Sequence, residues 1–185
     1  MAKFIDFDSI IKTDWTKPSV QKNPLWIAAA LGAVLALVSV FVKWITLNTS
    51  VKVMGNEVMS SNLSSAPFDN TEAIFIVVGL VLALYGLLYR QWGVATLAGL
   101  VIFGFSCSYM VDAISETATI VNKGETFTLK ELSDNLKAGV EGLRMTYGDN
   151  AVTHFTEVGG YGFMYAVVGG LLTTVCSFLL YRKNK

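Results

Sequence analysis

The sequence predicts an all-α membrane protein: a four-transmembrane-helix bundle with a small α+β extracytoplasmic cap of two β-hairpins and one amphipathic helix. Three observations carry this expectation. Only 15% of residues are charged and 53% are hydrophobic, whereas a soluble domain is usually about a quarter charged. The mean hydropathy is +0.52. The apolar residues also fall into four uncharged runs, at residues 25–42, 73–89, 92–111 and 159–181. Each is long enough, at ~1.5 Å rise per residue, to cross a hydrocarbon layer of ~30 Å.

In residues 1–23, Phe4, Phe7, Ile11 and Trp15 share one helical face, with Lys3, Asp6, Lys12 and Asp14 largely elsewhere. That pattern fits an amphipathic helix lying on the inner leaflet or docked on a partner. Pro18 ends it. Asn23 and Pro24 then supply an N-cap and an N1 proline for a first span over residues 24–46. The acidic, long leader and the length of this run argue against a cleaved signal peptide, so the first span is expected to stay in the mature protein. Trp26 and Trp44 lie roughly 27 Å apart along such a helix and act as interface anchors, with Lys43 snorkelling beside Trp44.

Residues 47–71 form the first exported loop, with two short strands around Gly55-Asn56. Asn48 and Asn62 each begin an Asn-x-Ser/Thr sequon. Asn70 or Thr71 caps a second span over residues 72–90. The second and third runs are separated only by Arg90 and Gln91. One continuous helix through both would be about twice the bilayer thickness, so the chain turns back at "YRQWG". Arg90 and Trp92 mark the water boundary there, and the third span covers residues 91–113.

The second exported loop, residues 114–158, contains a hairpin turning at residues 122–124 and then a helix over residues 129–146. Thr128 and Glu131 match a capping box, and Leu129, Leu132, Leu136, Val140 and Leu143 make an apolar stripe. Lys130, Asp134, Lys137, Glu141 and Arg144 occupy the opposite face. The two hairpins cover the stripe; the alternative cover is a partner. Leu132, Leu136 and Val140 are therefore candidate partner contacts, together with Phe4, Phe7, Ile11 and Trp15. The fourth span covers residues 159–181, followed by a tail at 182–185.

With four spans, both termini and the central hairpin share one side, holding eight basic residues against three acidic; the two loops with the span ends beside them (Lys43, Glu72 and Asp112) hold six against eleven. The positive-inside rule places the termini in the cytoplasm of a multi-pass protein of the plasma or bacterial inner membrane. Cys107 and Cys176 fall at different membrane depths, too far apart for a disulfide.

Small residues recur at four-residue spacing: Gly32 and Ala36, Gly79 and Ala83, Ala95 and Gly99, and Gly162, Ala166 and Gly170. Such stripes let helix backbones approach closely in lipid. Chemistry is poorly represented. His154 is the single histidine, and His154 with Glu157 lacks the three or four ligands of a metal site. No GxxxxGK[ST] loop occurs. Within the runs the polar groups are hydroxyls, among them Thr173 and Thr174, which a pore made by oligomerisation would use.

The layout of four spans with a larger second exported loop is similar to that of tetraspanins, and a hairpin-bearing first loop is similar to that of claudins. The Cys-Cys-Gly and Trp-Cys-Cys signatures of those families are absent, and no family is assigned. The functional expectation is a non-enzymatic membrane scaffold or accessory subunit presenting its cap to protein partners. Its partners are membrane lipid and other subunits or further copies of itself, with no cofactor, metal, nucleic acid or small-molecule substrate. The alternative is a channel-forming or transport-associated subunit.

Overall fold

The four apolar runs do form helices that pack together, but two of them stop short. The computed structural model describes residues 4–5, 10–12, 14, 18–65, 67–69, 71–122 and 125–184. Helix α1 is Pro24–Ser39, α2 is Thr71–Leu88 and α3 is Trp92–Ile114. The cap helix α4 is Leu129–Tyr147, and α5 is Phe163–Lys183. The strands are β1 (Ile45–Val53), β2 (Asn56–Ser65), β3 (Thr119–Asn122), β4 (Glu125–Thr128) and β5 (Val152–Gly159). Among the described residues, only α3 and α5 are long and apolar enough to cross a membrane. The four-span, all-α expectation is therefore overturned; the described residues combine five α-helices with five strands in two sheets.

The first span ends early where Trp44 is drawn into the core. After Ser39 the helix tightens, with Val40 N–H and Phe41 N–H donating to the carbonyls of Leu37 and Val38 at 3.1 and 3.0 Å. The Trp44 indole N–H then takes the Ser39 carbonyl at 2.8 Å, satisfying one of the orphaned acceptors of the helix end. The alternating, β-branched segment from Ile45 continues as strand rather than helix. Trp44 is thus not an interface anchor. It is fully buried, with its ring edge-on to Tyr109 at 4.5 Å, and its backbone N–H donates to Ser65 at 3.1 Å.

Helix α5 sits between α1 and α3, and α2 packs on α3 and α1. Small residues set these contacts. A Cβ on Gly32 would lie 2.6 Å from the Gly169 carbonyl oxygen, one on Gly99 2.6 Å from Thr174 Oγ1, and one on Gly170 2.6 Å from the Phe103 nitrogen. On the α2–α3 face a Cβ on Gly79 would meet Ile102 at 2.8 Å, and Ala83 and Ala95 are fully buried. Ala36 and Ala166 are also fully buried, and Gly162 lies against the Lys43 backbone.

At the opposite end, the Trp26 indole donates to the Leu87 carbonyl at 3.0 Å, and Trp92 is buried. Arg90, in a positive-φ turn between α2 and α3, donates twice to Ser19 Oγ, at 3.0 and 2.8 Å. Lys43 is exposed. In the N-terminal segment, the Phe4 ring meets Tyr181 at 4.8 Å and Ile11 is 79% exposed. Phe7 and Trp15, the capping position Asn70 and the turn at residues 123–124 lie outside the described residues. Cys107 and Cys176 are free thiols.

The cap is built from both loops. β1 is the centre of an antiparallel sheet ordered β2-β1-β5, while β3 and β4 form a separate hairpin. β1 and β2 are much longer than the short strands the sequence suggests. They turn at Met54-Gly55, whose φ values of 52° and 84° suit a tight two-residue hairpin turn. Residues 152–158, read from sequence as loop, and Gly159, read as the start of the fourth span, are a strand paired with β1 from Val53↔Val152 to Thr46↔Gly159.

Replacing Trp44 by Ala should destabilise the chain by about 3–5 kcal/mol, the usual cost of emptying a large aromatic site. Trp44→Phe should cost clearly less, read by thermal unfolding in detergent; equal losses would show that burial of Trp44 is not the determinant. Gly32→Leu overpacks the α1–α5 contact and should cost about 1–3 kcal/mol. Leu31→Ala, at a site 57% exposed, should change the same melting curve little.

Candidate functional site in the cap groove

Helix α4 begins at a capping box. Thr128 Oγ1 accepts the Glu131 N–H at 3.1 Å, and the Glu131 carboxylate accepts the Thr128 N–H at 2.8 Å. Hydrogen bonds to the carboxylate from Thr128, the backbone N–H first and then the side-chain hydroxyl, hold the Glu131 carboxyl below its ordinary range. From this fixed start the helix crosses one face of the sheet. Val140 is buried with Val51, Val53 and Val152, and Leu136 and Leu143 pack on that cluster. Leu132 joins the edge of the main core. The stripe is spent on the chain's own sheet, so Leu132, Leu136 and Val140 are not a free partner surface.

Strand alternation decides which β5 side chains meet α4. Leu47, Thr49 and Val51 of β1 face α4, and their register partners on β5 are Val158, Thr156 and His154. His154 therefore points toward the helix, while Glu157 lies one residue out of phase on the other face. The two do not act together on one ligand. On that outer face Asn48 pairs with Asn62 on one side and Glu157 on the other, so the two sequon asparagines are direct cross-strand neighbours.

A groove of about 800 Å³ runs between α4 and β5, and His154, Lys137, Arg144, Glu141 and Asp149 line it. Lys137, Glu141 and Arg144, read from sequence as a solvated helix face, thus border a cleft. Lys137 makes a long contact of 3.7 Å with Asp134, both side chains well exposed, a pair of little energetic weight. Arg144 Nε is buried and has no hydrogen-bond partner among the described residues. A smaller chamber of about 190 Å³ continues from this groove, sharing Ser133, Leu136 and Thr156 with it. It extends to Ala113 and Ile114 at the end of α3.

Sequence reasoning missed this site because it depends on β5 being a strand. "VTHFTEVG" offers only a weak period-two signal, since four of its side chains are polar and the apolar ones do not keep to one face. Among the described residues no three of His, Cys, Asp and Glu gather as a metal site would require. Comparison of the chain with models of protein families and with curated proteins finds no match.

Thr128→Ala should weaken the start of α4 by about 1 kcal/mol, seen as faster hydrogen exchange of the Glu131 amide. Glu131 has a depressed pKa in the folded state. Its contribution is therefore present above the ordinary glutamate value. It is lost as pH falls through the lower folded value. Amide exchange in the first turn of α4 should accelerate on acidification in the native chain, and Glu131→Gln should flatten that response.

Proposed function

We propose that the protein is a membrane-anchored, non-enzymatic scaffold or accessory subunit, held by α3 and α5 and presenting its sheet-and-helix cap outside the cytoplasm. One observation carries the membrane part. The helices are packed with their small residues inside and their bulky apolar residues outside. On α1, Ala29, Gly32, Ala33 and Ala36 are buried, whereas Ile27, Leu31, Val34 and Leu37 are exposed. On α5, Ala166, Gly169, Gly170 and Thr173 are buried, whereas Val168, Leu171, Val175 and Phe178 are exposed. A water-soluble core has the reverse order, and an apolar surface this extensive needs an apolar solvent.

In this arrangement α3 runs outward and α5 returns. Arg90, Arg182 and Lys183 lie at the end away from the cap, which the positive-inside rule assigns to the cytoplasm of a plasma or bacterial inner membrane. The scaffold part is supported by one edge of the cap sheet. β3 packs against β2, while β5 borders the sheet on the other side, and among the described residues no further strand is hydrogen-bonded to it. Its eight-residue edge suits strand addition by another subunit or a second copy. Nothing favours a conducting role. Thr96, Ser106 and Thr174 return their hydroxyls to their own helices, at 2.8, 2.6 and 2.7 Å, and Thr173 donates to Ala29 at 3.2 Å.

In intact cells, Ser50→Cys on the cap should react with a membrane-impermeant maleimide, and Lys183→Cys should react only after permeabilisation. The reverse pattern inverts the orientation. Release of the chain by alkaline carbonate would overturn the membrane anchor. A purified monomer in mild detergent that associates with nothing would count against the scaffold.

A further inference from the structure

The groove between α4 and β5 has a chemical gradient that the scaffold role does not use. Its outer chamber mixes both signs of charge: Lys137, Arg144 and His154 against Glu141 and Asp149. Its inner chamber is mostly apolar, with Leu47, Leu129, Ile114 and Val158 in its wall. Ser133, Leu136 and Thr156 wall both chambers and mark the neck between them. The volume tapers from about 800 to about 190 Å³, room for a broad head above one narrow chain. From Thr156 to Val158 the strand carries the path toward Ile114, the last residue of α3.

The decisive group is Arg144. Arg144 lines the groove, and a guanidinium carries five N–H donors and a fixed positive charge, so an oxygen anion in the groove finds a partner there. Phosphate suits a guanidinium in charge and geometry. Glu141 and Asp149 make a purely anionic head a poor match, because it would meet two carboxylates. A head carrying an ammonium beside its phosphate meets both signs.

We infer that this groove binds a single-chain zwitterionic phospholipid, its phosphate on Arg144 and Lys137, its ammonium toward Glu141 and Asp149, and its chain through the neck toward Ile114. The inference rests on the membrane reading in one respect, that the inner chamber opens beside the outer end of a lipid-embedded α3.

The test uses the full chain in amphipol, titrated calorimetrically with 1-myristoyl-lysophosphatidylethanolamine below its micelle concentration. Saturable binding at one site is expected. Arg144→Gln should weaken it about ten- to a hundred-fold, the range for losing a charged hydrogen bond. Thr156→Trp, which fills the neck, should abolish it. Lys52→Gln, on the outer sheet face, should bind as the native chain does. Inorganic phosphate and dodecanol, each alone, should compete only weakly.

Absence of saturable binding overturns the inference. So does phosphate competing as well as the lipid, which would mark an anion site only. Dodecanol binding equally well, with Arg144→Gln silent, would mark an apolar slot only and has the same force. If Arg144→Gln does not fold, Thr156→Trp decides, and undiminished binding to it overturns the inference. Carbonate extraction of the native chain separates the two readings. A soluble chain that still binds the lipid sinks the membrane anchor alone, and a membrane-bound chain that does not bind it sinks the groove alone.

Discussion

Trp44 fastens the helical layer to the cap, and the rest of the architecture depends on that joint. Its indole N–H closes the end of α1 on Ser39. Its ring lies edge-on to Tyr109 of α3, and Tyr109 in turn meets Phe163 at the start of α5 at 5.6 Å. Its backbone anchors the end of β2 through Ser65, whose hydroxyl also accepts from Tyr109 at 3.4 Å. Four elements thus meet around one buried aromatic cluster. A tryptophan is suited to this because it combines a large apolar body with one N–H that must find an acceptor when buried.

Below that joint, packing follows from the size of side chains rather than from a contrast between polar and apolar faces. The helices are apolar on every side, so amphipathicity cannot tell them which way to turn. Close approach does so instead. Gly32 against Gly169 and Gly99 against Thr174 bring α1 and α3 onto opposite sides of α5. The threonine and serine hydroxyls bond to nearby carbonyls, which keeps the seams dry. Ser177, whose buried hydroxyl has no partner among the described residues, is an exception.

What the sequence made legible divides along these lines. Apolar runs, the turn at Arg90 and the capping box at Thr128 are local signals, and each lies in a few neighbouring residues. The length of α1 was not legible, because hydropathy runs smoothly through Ser39 and only the distant Tyr109, Phe163 and Ser65 draw Trp44 inward. β5 was not legible either, since its residues are held in extended form by β1 about a hundred positions earlier. The groove depends on that pairing, and so the roles of His154 and Arg144 were hidden with it. The stripe on α4 was read correctly as a stripe, but its cover is mainly β1 and β5.

The pairing of Val53 with Val152 also sets an order of events during synthesis. β1 leaves the ribosome early and can pair at once with β2, a local contact that closes quickly. Its other edge must wait until α2, α3 and α4 have been made and β5 arrives, near the end of the chain. Throughout that interval the central strand of the finished sheet is an edge strand, with a row of unsatisfied backbone groups. The sheet is therefore closed only once β5 has been made, and a chain interrupted anywhere before residue 152 exposes a strand prepared for a neighbour that never comes.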